Sequence, residues 1–182
     1  MIWGLLYIIA LLAFVVRVRS TDEPMPDPVH PVAGESLHLV RLHHVLLSLL
    51  LIGPPLEAII LGGDPDGRLA GALLLGAGVL VYRLAGRTLG EALSPFTEPR
   101  AGATLVTRGL YRYLRHPMYL SQALIAVGAP LTLGSRYVIV LAPLALVVLA
   151  LRIGQEEDAL ARTFPEYSRY AATTKRVLPF VY

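Results

Sequence analysis

The sequence predicts an all-α integral membrane protein, a helical bundle of about five transmembrane helices with a cytoplasmic loop and C-terminal amphipathic helices. Three observations carry this. Hydrophobic residues make up 55% of the 182-residue chain and charged residues only 16%, with a mean hydropathy of +0.61, too apolar for an ordinary soluble domain. The apolar residues gather in five stretches separated by turn-rich or charged segments. The basic residues fall almost entirely on one side of any five-span arrangement.

The stretches are residues 2–16, 42–61, 69–85, 117–133 and 137–153. The first, "MIWGLLYIIALLAFVV", has the apolar run of a signal peptide but neither a basic leading region nor a small-residue cleavage site, so a retained first helix is expected. The polar segment "TDEPMPDPVHPVAGES" that follows reads as a proline-rich connection. The second stretch is interrupted by Gly53, Pro54 and Pro55, which predicts a kink where neighbouring helices re-satisfy the backbone. The fourth opens on Pro117, and proline favours the first helical position. With the N-terminus outside, Arg17, Arg19, Arg41, Arg83, Arg87, Arg100, Arg108, Arg112, Arg115, Arg152, Arg162, Arg169, Lys175 and Arg176 lie on or near the cytoplasmic side, leaving only Arg68 and Arg136 outside. The loop of residues 86–116 and the tail after Ile153 then share one side, where together they can roof the bundle.

Cysteine is absent, which excludes disulfides, thiol nucleophiles and Cys-ligated metals. The pI near 9.4 is accounted for by topology signals, so no nucleic-acid partner is expected. No metal site is predicted, and no glycine-rich fingerprint follows a strand-like run.

Three clusters carry hydrogen-bonding capacity. In "GLYRYLRHPMYLSQ", His116 precedes a proline and is pushed out of helical geometry. It becomes a cap-like residue, with Tyr119 and Gln122 on the first turns. Such a helix start, strengthened by Arg112 and Arg115, suits an anion, while an interfacial Tyr/Arg belt is the plainer reading. In "RIGQEEDAL", Arg152 and Glu156 share a helical face as the last stretch ends. Arg152 lies deep enough either to snorkel or to face a polar cavity, whereas Glu157 and Asp158 point elsewhere and are expected to be solvated. In "FPEYSRYAATTKRVLPF", Pro165 fits a helix start, and Tyr167 and Tyr170 share one face of an amphipathic tail. His43 and His44 stand near the cytoplasmic end of the second stretch, where they reach either the substrate or only the interface.

The order "LVTRGLYRYLRHPMY", a helical hairpin, "RIGQEEDAL", "FPEYSRY" and "VLPF" resembles the isoprenylcysteine carboxyl methyltransferase family and its relatives among the phospholipid methyltransferases. "SPFTEPRAGATLVT" is similar to the corresponding loop of bacterial members. The resemblance covers residues 105–180 well, and the first three stretches share only general character.

The resemblance implies a single membrane methyltransferase domain over residues 1–182, with N-terminal spans in 1–100 and the cofactor-binding catalytic core in 101–182. The cofactor implied is S-adenosyl-L-methionine, leaving as S-adenosyl-L-homocysteine. By matching position, Ala103, Thr104, Leu105 and Val106 would line it with their backbone, surrounded by Tyr111, Arg115, His116, Pro117, Tyr119, Tyr167 and Tyr170. Ala103 and Thr104 replace the polar His and Gln of eukaryotic members, so only backbone contacts carry over there. Glu156 would bind the cofactor as one of the catalytic pair, and Arg152 would face the methyl acceptor, with His43 and His44 as candidate substrate contacts. The cofactor's carboxylate suits the helix start and its arginines, and its ammonium and ribose hydroxyls suit Glu156. The expected acceptor is lipophilic, an isoprenylcysteine-like carboxylate or another lipid acid, with a phospholipid amine or small thiol as alternatives. A monomer in a bacterial inner membrane, with its active site facing the cytoplasm, completes the expectation. Competing readings are a sterol-reductase-like NADPH enzyme and a non-catalytic transporter or assembly factor.

Overall fold

A computed structural model of the chain describes residues 2–15, 34–63, 66–92, 99 and 102–178. The expectations for Arg17, Arg19 and Arg100, for most of the proline-rich connection and for the final Pro179 and Phe180 lie outside these residues. The fold is all-helical: α1 (Ile2–Val15), α2 (Gly34–Leu61), α3 (Arg68–Leu89), α4 (Pro117–Leu133), α5 (Leu141–Thr163) and the short α6 (Tyr167–Thr173). Short 3-10 turns at Gly109–Arg112 and Val138–Val140 lead toward α4 and α5. The β-structure among the described residues is one isolated parallel bridge, Leu114 to Lys175.

All five apolar stretches become helices. Leu37–Leu61, Arg68–Leu89 and Val138–Thr163 are long and apolar enough to cross a membrane, while Ile2–Leu12 and Pro117–Leu133 are apolar but shorter. At 1.5 Å per residue the 17-residue α4 is about 26 Å long, somewhat under the ~30 Å hydrocarbon core. The outside of the bundle is apolar as well: Ile59, Ile60 and Val140 are 80%, 75% and 70% exposed, a surface suited to lipid rather than water. This is a membrane protein.

Two polar groups inside the bundle, the Leu51 carbonyl and the Glu57 carboxylate, are paired in ways the sequence explains. Pro55 has no N–H, so the carbonyl of Leu51, one turn earlier in α2, loses its helical partner. The buried Tyr7 of α1 donates its hydroxyl to that oxygen. Glu57, the next polar residue of α2, is buried and accepts from the backbone N–H of Arg136 (2.6 Å), Tyr137 (3.1 Å) and Val138 (3.0 Å) and from the Ser135 hydroxyl. It thereby caps the helical run that continues into α5.

The α3–α4 contact is a backbone-to-backbone approach permitted by glycine. A Cβ on Gly71 would lie 2.4 Å from the Thr132 nitrogen, and one on Gly128 would lie 2.5 Å from the Leu75 nitrogen. Small residues at such crossings let helices associate by close packing in lipid. Two apolar clusters flank the contact. Tyr7, Leu51, Leu75, Val79, Ile125 and Ala129 join α1 through α4, and Leu46, Leu50, Ala126, Ala142, Ala145 and Val148 join α2, α4 and α5. The start of α2, the end of α3, the start of α4 and the end of α5 consequently meet at one end of the bundle.

Candidate active site

His116 sets the geometry at that end. Held before Pro117 at φ −125° and ψ 56°, it is the N-cap of α4, and its carbonyl accepts from the N–H groups of Tyr119 and Leu120 at 3.1 Å each. Its ring is 2% exposed and sits between two carboxylates, with Nε2 3.3 Å from Glu157 and Nδ1 3.8 Å from Glu156. Tyr119 packs against it edge to face, with ring centroids 5.6 Å apart.

Glu157, expected in solvent, is instead the hub of the site. It accepts from Arg115 Nε at 2.8 Å and pairs with Arg176 Nη2 at 2.6 Å. Arg115 also donates through Nη1 to the carbonyls of Ala171 (2.9 Å) and Thr174, at the end of α6, where a cation is favoured. The backbone repeats the connection: Arg115 N–H donates to the Lys175 carbonyl at 2.7 Å, and His116 N–H to the Arg176 carbonyl at 2.9 Å. One carboxylate and two arginines therefore fasten the tail across the start of α4. Arg115 is committed to this scaffold, and the exposed Arg112 lies over the Tyr113 ring, 5.9 Å from its centroid. Asp158 is exposed, as expected.

The tail forms a roof. Tyr170 donates its hydroxyl to the Tyr111 carbonyl at 2.6 Å, and burial pushes the phenol up to about 12. Burial likewise raises Tyr111 and Tyr167, with the Glu156 and Glu157 carboxylates, respectively, adding to it. These tyrosines stay neutral across physiological pH. Helix α6 starts at Tyr167 rather than at Pro165, and the buried Phe164 closes the end of α5.

Beneath this roof is a cavity that brings nearly all the expected residues together. Ala103, Thr104, Leu105, Val106, Tyr111, Arg115, His116, Tyr119, Arg152, Glu156, Tyr167, Tyr170 and His44 all line it. Residues 103–106 run without helix or strand pairing, and among the described residues no backbone group pairs with theirs. Arg152 is 5% exposed, reaches 2.7 Å from Nη1 to His43 Nδ1, and lies over the Tyr119 ring at 5.6 Å from its centroid. It faces the cavity rather than snorkelling. Two expected residues stand behind the wall: Pro117 fixes the start of α4, and the buried His43 backs Arg152. Residues not assigned from the sequence include Met118, Leu160 and Phe164, and above all Gln122, whose buried Oε1 has no partner among the described residues. Its spacing of three from Tyr119, inside an apolar helix, was the signal available. A second, apolar groove runs between α4 and α5, lined by Leu120, Leu124, Leu149 and Ile153, capped by Val177 and Leu178, and it shares Tyr119 with the cavity.

The chain is similar to two proteins named for metal resistance. The cobalt-zinc-cadmium resistance protein CzcN of Cupriavidus metallidurans is 31% identical over 159 residues, covering 84% of this chain and 72% of the relative. The nickel-cobalt-cadmium resistance protein NccN of Alcaligenes xylosoxydans xylosoxydans is 30% identical over 145 residues, covering 78% of this chain and 65% of the relative. Residues 67–167, from the start of α3 to the first residue of α6, match the phospholipid methyltransferase family, and this membrane chain belongs to it.

Proposed function

We propose that the chain is an S-adenosyl-L-methionine-dependent methyltransferase acting on a lipophilic acceptor, with its cavity on the cytoplasmic face of a bacterial inner membrane and five membrane-crossing helices. The observation that carries the reading is the cavity's composition: a stretch of backbone outside helix and strand, a carboxylate, a buried arginine and an amide oxygen without a partner among the described residues, under one aromatic roof. Such a donor and acceptor set fits a ligand that is itself both charged and hydrogen-bonding. When bound, the cofactor would supply an electrophilic methyl group on a sulfonium.

The protein's part is binding and alignment. Residues 103–106 offer backbone N–H and C=O groups to a nucleoside, and Tyr111 and Tyr167 offer neutral aromatic faces. Glu156, whose side chain is 28% exposed, offers a carboxylate to an ammonium or to ribose hydroxyls. Arg152 lies one turn deeper on α5, about 6 Å closer to the middle of the bundle, where the polar end of a lipid-borne acceptor would arrive. Its guanidinium suits an acid such as an isoprenylcysteine-like carboxylate. The apolar groove beside Tyr119 suits the acceptor's hydrocarbon part. Methyl transfer in such a site relies on alignment and exclusion of water.

The two relatives are named for metal resistance. Among the described residues no group of three or more His, Asp and Glu side chains is placed to hold a metal ion, and the reading gives this chain methyl transfer.

Two measurements on detergent-purified protein test it. Calorimetry with S-adenosyl-L-methionine should show saturable binding, and isotope-labelled methyl should pass into a component of native lipid extract identifiable by mass spectrometry. A folded protein that binds none of the cofactor would remove the reading.

A further inference from the structure

His43 and His44 are neighbours in sequence and stacked, with ring centroids 5.4 Å apart, yet their surroundings give them opposite tautomers. His44 Nδ1 lies 2.7 Å from the Val40 carbonyl. A carbonyl only accepts, so the proton of the neutral ring sits on Nδ1 and Nε2 keeps its lone pair. His43 Nδ1 lies 2.7 Å from Arg152 Nη1. A guanidinium only donates, so His43 Nδ1 holds the lone pair, already engaged, and its Nε2 carries the proton. Of the two, only His44 has a basic nitrogen available on the side of the ring away from its own helix.

With Nδ1 turned back to its own helix, the other side of the ring is the one left to the cavity that His44 lines. Val40, Leu47 and Leu51 share a helical stripe with His44 and are buried or half-buried, whereas His44 itself is exposed and lines the cavity wall. Gln122 contributes a second unused acceptor in the same space, its Oε1 being buried and without a partner among the described residues. A cavity with two such lone pairs is built to receive a ligand that brings N–H, S–H or O–H donors.

We propose that His44 is the proton acceptor of the transfer, and that the lipophilic acceptor enters with its reacting atom still protonated. The inference rests on the methyl-transfer reading. Writing the reacting group as X–H, its proton passes to His44 Nε2 while the X–carbon bond forms. The bond between carbon and sulfonium sulfur breaks, and its electron pair stays on sulfur. The products are X–CH3, a neutral thioether and a protonated imidazole, which returns its proton to solvent. An amine and a thiol satisfy this balance as they stand, and an acid satisfies it when it arrives neutral from lipid and becomes the carboxylate that Arg152 suits only on giving its proton to His44. The charged and titratable groups that line the cavity with His44 are Tyr111, Arg115 and His116 before α4, Tyr119 on α4, Arg152 and Glu156 on α5, and Tyr167 and Tyr170 on α6, with His43 stacked on it from its own helix.

The tautomer is measurable without turnover. Nitrogen-15 NMR of protein labelled in its histidine rings, assigned with His44→Gln, should find His44 protonated at Nδ1 and bare at Nε2, and His43 the reverse. Protonation of His44 at Nε2 would overturn the proposal whatever the activity. Methyl transfer is then followed with dodecanoic acid, dodecylamine and dodecanethiol, together with lipid extract from the expression host. The rate of the native protein should rise along one limb from acid to neutral pH, because only an unprotonated ring can take the proton. His44→Gln should lose that limb and about a hundredfold in rate, with cofactor affinity unchanged by calorimetry. A variant that keeps both rate and pH limb defeats the proposal. Native protein that fails to bind cofactor defeats instead the reading beneath it.

Discussion

Adjacent carboxylates on one helix turn have been given separate work by their partners. Glu157 is tied to Arg115, Arg176 and His116 and holds the roof in place, which leaves the more accessible Glu156 to meet a ligand. Glu156→Gln keeps the shape and removes the charge, so affinity for S-adenosyl-L-methionine should fall by about 1.5–3 kcal/mol, read by calorimetry. Unchanged affinity would take Glu156 out of the cofactor site. Arg152→Lys should keep that affinity and slow methyl transfer at least about tenfold, because an ammonium cannot reproduce a two-bonded grip or the stacking on Tyr119. The opposite pattern, normal turnover with lost binding, would show the two assignments to be reversed. The sequence set both residues on one helical face and left Arg152 either to snorkel or to face a cavity, but it put Glu157 in solvent. Its partner Arg115 is 42 residues away, and an ion pair across that distance leaves no local spacing to read.

Helix boundaries were legible where punctuation marks them and obscure where chemistry overrides hydropathy. Helix α4 begins at Pro117 and ends before Gly134, whose φ of 68° needs glycine, and its limits agree with expectation. The apolar stretch of α5 ends at Ile153 as read from the sequence, and the helix runs on past the expected helical Asp158 to Thr163, its polar last turns being used inside the site. Helix α2 starts at Gly34, before its apolar residues begin. The α3–α4 crossing depends on missing side chains, and Gly128→Val would drive a branched side chain into the backbone at Leu75. The variant should lose about 1–3 kcal/mol or more, seen as earlier thermal unfolding in detergent; full stability would mean the helices separate without penalty. Helix α6 offers a pH test. Tyr170 shifts from 10.0 to about 12 on burial, so the protonated phenol favours the docked state. That contribution is complete below pH 10 and fades as pH climbs from about 10 to 12. Protease sensitivity of the tail should rise over that interval, and Tyr170→Phe should be sensitive already at neutral pH, having lost the bond to Tyr111.

At the scale of the whole molecule, the described cations are divided unequally between the two ends of the bundle. Arg83, Arg87, Arg108, Arg115, Arg162 and Arg169 lie on segments at the cavity end, and Arg68 and Arg136 on segments at the other. Reporter fusions at the two termini should accordingly report opposite sides, with the C-terminus cytoplasmic. Both termini on one side would require an even number of crossings and would show that the expected five-span count is wrong. The hydroxyl that α1 lends to the proline-broken turn of α2 bears on how such a molecule is made. A ribosome delivers α1 first, with Tyr7 presenting an unanswered hydroxyl to hydrocarbon, and α2 next, with the Leu51 oxygen equally unanswered. Each segment alone carries a polar defect that lipid cannot mend, and the two defects cancel only when the segments meet. Pairing of α1 with α2 is thus favoured as soon as both have emerged, giving the nascent chain an assembly step before α4 and α5, which bear most of the active site, have been synthesised.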